Sequence, residues 1–517
     1  DDAGTGAVIY SDILYQPVNH YLPDYRDYNY KFNNLDNYYN GYAQNPYFTL
    51  NETGAKADQN RIIGNLNIIQ DIVEGLSISF TGGVDTYSQF SKVHGAVAKV
   101  TPGSNNDGTI NDVAGAVKEE AKYNTQLNSD LVITYKNEID LFGGNLKYNL
   151  LLGNNVNQRS FKRDNIVSKG LVVPGYYNVG NISGSAEVYT SEYKRRLVGV
   201  FGQLGLEFND LLFVNLQARN DWSSTLPIGN NSFFYPGATM GFIFSDLIPE
   251  NKILSYGKFR LSYALAGNDA APFMTSEIYR PSILRAGGFG STNYPVGGIP
   301  AYEKYQRLGN PNLKPEISSE LEIGTDLRFF SNRIGVDLAY YKKRTTDLIM
   351  LANIAASTGY REITANLGQI TNDGIELAFN ITPVSTSNFT WDFTYLYNKA
   401  DMVLDKLSEE LGVSEYVINS AYETEFVAIP GEQLGMYRIP DYKYSPDGKI
   451  IVGDNGLPVE GDKKLVGSSV PDFMMSLTNN LQFKGFRFSF LFDYQKGGLM
   501  YSNTAGATFW SGNNEQS

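Results

Sequence analysis

The 517-residue chain carries 42 basic and 55 acidic residues, a net charge of −13 that argues against nucleic acid as a partner. It has no cysteine, so disulfides and thiolate metal sites are excluded, and its only histidines, His20 and His94, are too far apart to suggest a His-based catalytic or metal centre. No stretch of about 18 apolar residues occurs, which excludes a helical membrane protein but not a β-barrel, whose strands hide an apolar face behind alternate polar residues.

In chain order, residues 1–58 look irregular and hold ten tyrosines. From about Arg61 the pattern becomes alternating. Leu76, Ile78, Phe80 and Val84 oppose Ser77, Ser79, Thr81 and Asp85; Leu127, Leu131 and Ile133 oppose Asn128, Asp130 and Thr134. Leu212, Val214 and Leu216 oppose Asn215, Gln217 and Arg219, and the last such run sets Phe486, Phe488, Phe490 and Phe492 against Arg487, Ser489 and Asp493. A period of two is a two-faced strand. Fourteen strands are predicted: 59–72, 76–92, 122–138, 145–161, 190–207, 211–222, 232–246, 257–268, 316–329, 333–350, 365–382, 389–400, 472–483 and 486–500. The abundance of Gly, Tyr and Phe (51, 37 and 29 residues) suits this all-β reading.

The connections carry more information than the strands. Short ones (73–75, 139–144, 208–210, 247–256, 330–332, 383–388, 484–485) alternate with generally longer ones (93–121, 162–189, 223–231, 269–315, 351–364, 401–471). One rim thus has tight turns and the other long loops, the asymmetry of an outer-membrane antiparallel β-barrel with periplasmic turns and extracellular loops. The polar parity points the same way. In a sandwich core those Glu, Asp, Arg and Asn side chains would cost about 1–3 kcal/mol each when unpaired, whereas a wet lumen takes them cheaply. In the hairpin 310–347, Leu321, Ile323, Leu327, Phe329, Ile334, Val336 and Leu338 are expected to face lipid. Glu320, Glu322, Asp326, Arg328, Asp337 and Lys343 are expected to line the lumen.

Gly309-Asn310-Pro311-Asn312-Leu313-Lys314-Pro315-Glu316 resembles the barrel region of SusC/RagA-type TonB-dependent outer-membrane transporters. Further segments resemble the same family in the same order, among them Asn45-Pro46-Tyr47-Phe48, Val173-Pro174-Gly175-Tyr176-Tyr177-Asn178 and Arg219-Asn220-Asp221-Trp222-Ser223-Ser224-Thr225-Leu226-Pro227. Asn372-Asp373-Gly374-Ile375-Glu376, Val470-Pro471-Asp472-Phe473 and Tyr494-Gln495-Lys496-Gly497-Gly498 complete the set. The resemblance implies a barrel of about 22 strands around an N-terminal plug. It implies a SusD-like lipoprotein lid, TonB contacted through an N-terminal region, oligosaccharide or peptide as ligand, and no cofactor. No plug or TonB-contacting segment is visible in this sequence, and it ends at Asn513-Asn514-Glu515-Gln516-Ser517 without a closing strand. The expected organisation is therefore a middle portion of a longer protein. Residues 1–58 are an extracellular tyrosine-rich loop segment, 59–500 a partial barrel, and 501–517 the start of the next extracellular loop.

Candidate ligand contacts are few. Asp221 and Trp222 leave a strand on the long-loop side, where Trp222 could stack on a ligand and Asp221 accept from it; the competing reading is a strand-end cap with Trp222 in an interfacial aromatic girdle. Tyr176 and Tyr177 lie mid-loop and serve binding or loop packing equally well; Tyr294, Tyr302 and Tyr305, in the loop 269–315, are similar candidates for which loop packing is the more ordinary role. Asp447-Gly448, Asp454-Asn455-Gly456, Glu460 and Asp462 have the residues of a calcium loop but the wrong spacing, and read as hairpin turns. Glu119-Glu120 and Glu409-Glu410 read as solvated loop charges, and no nucleotide fingerprint or nucleophile elbow suggests an enzyme. The runner-up function is a closed fourteen-stranded passive channel, with 59–72 paired to 486–500; a surface adhesin or barrel enzyme is a third.

Overall fold

A computed structural model describes residues 9–39, 44–108, 113–141, 143–249, 251–285, 291–294, 296–408 and 412–513. Fourteen strands run side by side in chain order as one antiparallel sheet. They are β1 (Thr53–Val73), β2 (Leu76–Ala98), β3 (Val113–Leu141), β4 (Gly144–Lys169) and β5 (Glu187–Phe208), then β6 (Leu212–Ser223), β7 (Ser232–Ile243) and β8 (Leu254–Asn268). After a long loop come β9 (Glu316–Phe329), β10 (Ile334–Asn353), β11 (Glu362–Ser385), β12 (Phe389–Leu407), β13 (Pro471–Phe483) and β14 (Phe486–Gly497). Each pairs with its neighbour, and β1 and β14 are the two ends of the order. The pairing of 59–72 with 486–500 that a closed fourteen-stranded channel needs is thus not formed among the described residues.

The register keeps every polar parity together. Asn67 faces Thr81, Thr81 faces Asp130, and Asp130 faces Asn155. From there the path runs Asn155 to Gly199 to Asp221, then Arg219 to Tyr235 one step along the strands. Farther round, Gly241 faces Arg260, Asp326 faces Asp337, and Ala339 faces Glu376. The opposite face carries Leu66, Leu131, Leu152, Val200, Leu216, Tyr263, Ile323, Leu338, Ile375 and Phe488, all exposed. A one-residue slip at any ladder would exchange the two faces of every later strand, so this continuity is a strong constraint. Among the described residues no apolar cluster is buried at the sheet's middle. The buried apolar clusters lie toward the long-loop ends: Leu226, Phe233, Ala270 and Leu313; Ala352, Ala365 and Leu367; and Leu404, Leu407 and Ala428.

The short rim is made by residues that tolerate left-handed backbone. Gly75 has φ 78°, and a Cβ there would sit 2.2 Å from the Lys136 carbonyl oxygen, so only glycine fits this turn. Asn209 and Asp210 adopt φ 52° and 55°, the paired left-handed geometry that matches strand twist. Phe330, Ser331 and Asn332 form the predicted turn between β9 and β10, with φ between 53° and 65°.

On the long-loop rim the strands outrun their prediction. β2 continues to Ala98, β3 begins at Val113 rather than 122, β4 continues to Lys169 and β12 to Leu407. Glu119 and Glu120 are therefore strand residues: Glu119 pairs with Lys92, and buried Glu120 with Lys122 and Arg163. Backbone pairing persists above the apolar band, where alternation is no longer needed and the sequence signal fades. Glu409-Glu410 lie outside the described residues. The segment before β1 is not wholly irregular, since it contains helices α1 (Ile9–Leu14) and α2 (Pro46–Glu52); α3 (Asn503–Trp510) follows β14. Between β12 and β13 stands a separate four-stranded sheet, Tyr416–Ala421, Thr424–Ala428, Met436–Ile439 and Lys464–Ser468.

Candidate functional site at the long-loop rim

A dense polar constellation is built where β5 to β8 reach the long-loop rim. Parity aims Arg219, Asp221 and Ser223 to the polar face of β6, beside Arg195 of β5 and Tyr235 of β7. Arg219 Nε donates to Asp221 Oδ1 at 2.8 Å, and the Tyr235 hydroxyl donates to Asp221 Oδ2. Gly199 stands against this pair, and a Cβ on it would lie 2.3 Å from both Arg219 Nη2 and Asp221 Oδ1. One residue past β8, Asp269 accepts from Arg195 Nε and Nη2 at 2.9 and 2.7 Å, from the Ser223 hydroxyl, and from Thr225 Oγ1 at 3.0 Å. Burial alone would raise the Asp269 carboxyl, but the Arg195 guanidinium and the two hydroxyls outweigh it and hold the group below its ordinary value.

Beneath this network the long loop is pinned twice. Leu313 is fully buried against Leu226, Phe233 and Ala270. Around it the Asn-Pro-Asn-Leu-Lys-Pro run is tied to neighbouring backbone. Asn310 Nδ2 donates to the Thr364 carbonyl at 3.0 Å, and its Oδ1 accepts from Asn312 N at 2.9 Å. Lys314 and Asn366 exchange two hydrogen bonds, each 2.9 Å, in which the amide of Asn366 imitates a strand neighbour. A two-residue parallel pairing of Arg307–Leu308 with Glu362–Ile363 adds to the anchor. The motif that opens the hairpin is thus a rivet holding loop 269–315 to the wall.

The predicted contact residues do not form one cluster. Asp221 is buried in the network above, whereas Trp222, on the opposite parity, is on the apolar face and 41 % exposed. Tyr177 stacks on His94 at 3.9 Å between ring centroids, and its hydroxyl reaches the Glu52 carbonyl at 3.4 Å; Tyr176 beside it is exposed. In loop 269–315, Tyr302 is exposed, Tyr294 is half-buried, and Tyr305 lies between the guanidiniums of Arg280 and Arg307, 5.5 and 5.8 Å from its centroid. Glu320, Glu322, Asp326, Arg328 and Asp337 share the polar face. Asp337 takes a bidentate ion pair from Arg260 at 2.7 and 3.0 Å, and Asp326 pairs with Arg328 at 3.3 Å. Glu322, Asp337, Arg260, Glu376 and Asn398 line a shallow hollow of about 550 Å³ in that face. Asp447-Gly448 and Asp454-Asn455-Gly456 are hairpin turns, with Gly448 N bonded to the Ser445 carbonyl and Gly456 N to that of Gly453, both at 2.9 Å.

Sequence reading missed Arg195, Tyr235, Arg260, Asp269 and Asn366. Each has a partner remote in the chain, as with Arg195 and Asp269, 74 residues apart. Only Arg260 gave a signal, as a charge on the polar parity of its strand; Arg195 stands in the run Lys194-Arg195-Arg196, which shows no parity.

Residues 5–516 match the family described as TonB dependent receptor-like, beta-barrel. TonB-dependent receptor P3 of Formosa agariphila is 24 % identical over 489 residues, 89 % of this chain and 47 % of the relative. TonB-dependent receptor SusC of Bacteroides thetaiotaomicron is 25 % identical over 470 residues, 86 % of this chain and 44 % of the relative. The chain therefore spans just under half the length of these two relatives. A solved structure of the RagAB peptide transporter superposes with a TM-score of 0.72 at 16 % identity, covering 89 % of this chain and 50 % of the solved one, a likeness of fold. The long apolar outer face, the short-turn and long-loop rims and the ordered motifs all have their place in that family: this chain belongs to the TonB-dependent receptor β-barrels of the outer membrane.

Proposed function

We propose that this chain forms part of the wall of a TonB-energised importer of oligosaccharides or peptides. Its apolar face meets outer-membrane lipid, its polar face lines the lumen, its long loops are extracellular and its short turns periplasmic. One observation carries the reading: a single polar face and a single apolar face run unbroken through fourteen register-linked strands. The unpaired edges of β1 and β14 are where further strands complete the barrel, since an open edge in lipid leaves backbone groups without partners. A SusD-like lipoprotein seated on the long loops is the expected companion, and the rigid rim built by Asp221, Asp269 and Leu313 gives it a stable platform.

The test uses cells producing the whole transporter. Uptake of labelled oligosaccharide or peptide is expected to stop when TonB is removed or the proton gradient is collapsed, with surface binding retained. Uptake indifferent to both would refute the importer in favour of a passive channel. Binding without any uptake, TonB present, would identify an adhesin.

A further inference from the structure

Although β1 and β14 do not pair, the segments just outside them meet on the long-loop rim. Helix α1 packs on α2, which runs directly into β1, and also on α3, which follows β14. Tyr10 Oη and Thr504 Oγ1 share a hydrogen bond of 2.7 Å. Tyr15 meets Trp510 edge to face at 5.8 Å. Ser511 Oγ donates to the Leu14 carbonyl at 2.9 Å, and Asn513 Nδ2 donates to the carbonyls of Gln16 and Leu14 at 2.5 and 3.3 Å. These contacts join residues nearly 500 positions apart.

The junction also contains a term that opposes it. The side chain of Gln16 is buried, 6 % exposed, and among the described residues neither its amide oxygen nor its amide nitrogen has a hydrogen-bond partner. A buried amide without partners is costly, and exposure to water removes the cost. Asp12, on helix α1, is buried toward α2, where it accepts from the Thr49 hydroxyl at 3.1 Å. The contacts that close the junction are few and mostly polar, and the orphaned amide of Gln16 weighs against them.

We propose that α1 and α3 form a releasable clasp that joins the long-loop ends of β1 and β14 across the mouth. Release hydrates Gln16 and frees the tyrosine-rich residues 9–39 from α3, widening the entrance. The gating role rests on the reading of this rim as the mouth of an importer; the existence of two clasp states does not.

The experiment is a distance measurement on the full-length transporter in outer-membrane vesicles. Spin labels go at Val18→Cys and Met500→Cys, both exposed and outside the clasp contacts, in a stretch that contributes no native thiol. Two distance populations are expected. Asn513→Ala, which removes two clasp bonds, should raise the long-to-short ratio about threefold or more. Gln16→Met, which removes the orphaned amide, should lower it by a similar factor. If Gln16→Met fails to assemble, Ser511→Ala replaces it and should act like Asn513→Ala. One population that ignores these substitutions overturns the clasp. Bridging Tyr10→Cys to Thr504→Cys with a bis-maleimide should cut uptake at least fivefold. Undiminished uptake with two populations present would remove the gating role, while uptake that is TonB-independent would instead strike the importer reading.

Discussion

A cationic side chain at Leu338 offers the sharpest contrast with one at Ser262. An apolar band crossed by a tilted strand takes about ten residues. Counted from the short turn at Phe330–Asn332, that band occupies residues 334–344 of β10, and Leu338 is near its middle. Leu338 is on the apolar face, 41 % exposed, opposite Thr325 and Leu377. Ser262 is on the polar face at a similar height, directly opposite Glu322. Leu338→Lys therefore puts an ammonium into hydrocarbon near the midplane, at a cost of about 2–4 kcal/mol. Ser262→Lys sets the same group in the lumen beside a carboxylate, and its expected effect is within about 0.5 kcal/mol. Folding of the whole protein into lipid vesicles across a urea series, followed by heat-modifiable migration on gels, compares the two variants. A lower midpoint for Leu338→Lys alone is the expected result. Equal losses, or a larger loss at Ser262, would refute the assignment of faces.

Other expectations concern the rim. Arg195→Met strands the buried Asp269 carboxylate with only hydroxyl donors, a loss of about 3–5 kcal/mol, and should open loop 269–315 to limited proteolysis; unchanged cleavage would discount the anchor. Asp269 is held below 3.8, so its contribution is complete above that pH and fades only as the pH falls through the lowered value. Protease sensitivity of the loop should accordingly begin only in strong acid, and Arg195→Met should move its onset upward. Asp12 has the opposite sign, because burial raises its carboxyl from 3.8 to about 6. The segment 9–52 should therefore be most stable below pH 3.8 and lose about 2–3 kcal/mol as the pH rises to 6. Hydrogen exchange in that segment at pH 4.5 and 7 reads this out, and Asp12→Asn should abolish the difference. Gly199→Ala should separate Arg219 from Asp221 at a cost of about 1–3 kcal/mol, seen as a lower urea midpoint.

How far the sequence could be read depended on what each segment has to satisfy. Between the short turns and the middle of each strand, lipid on one side and water on the other force alternation, so β6, β9, β10 and β14 were legible almost to the residue. Above that band β3 begins with Val113-Ala114-Gly115-Ala116-Val117-Lys118-Glu119-Glu120, where Ala116, Val117, Lys118 and Glu120 are buried on both faces and the run has no period of two. Its pairing is with β2 and β4, and Glu120 is buried only because Lys122 and Arg163 neutralise it from its own strand and the next. The loop rivet was visible as a motif, but not what it fastens, since Asn366 and Thr364 come from a strand some fifty residues on.

The Arg219-Asn220-Asp221-Trp222 run shows the limit most clearly. Read as a string, its aromatic and its acid look like one ligand site. Read as a strand, the single step from Asp221 to Trp222 reverses the direction of the side chain. Asp221 goes to the polar face, where Arg219 and Tyr235 consume its hydrogen-bonding capacity, and Trp222 goes to the apolar face opposite Val198 and Ser232. A ligand in the lumen meets Asp221 with both carboxylate oxygens already engaged, and cannot reach Trp222 from that side at all. The period that revealed the wall therefore also divides the run between its two faces. We propose that ligand contact at this rim falls instead to residues that project from the loops, Tyr176 and Tyr302 foremost, because both rings are exposed.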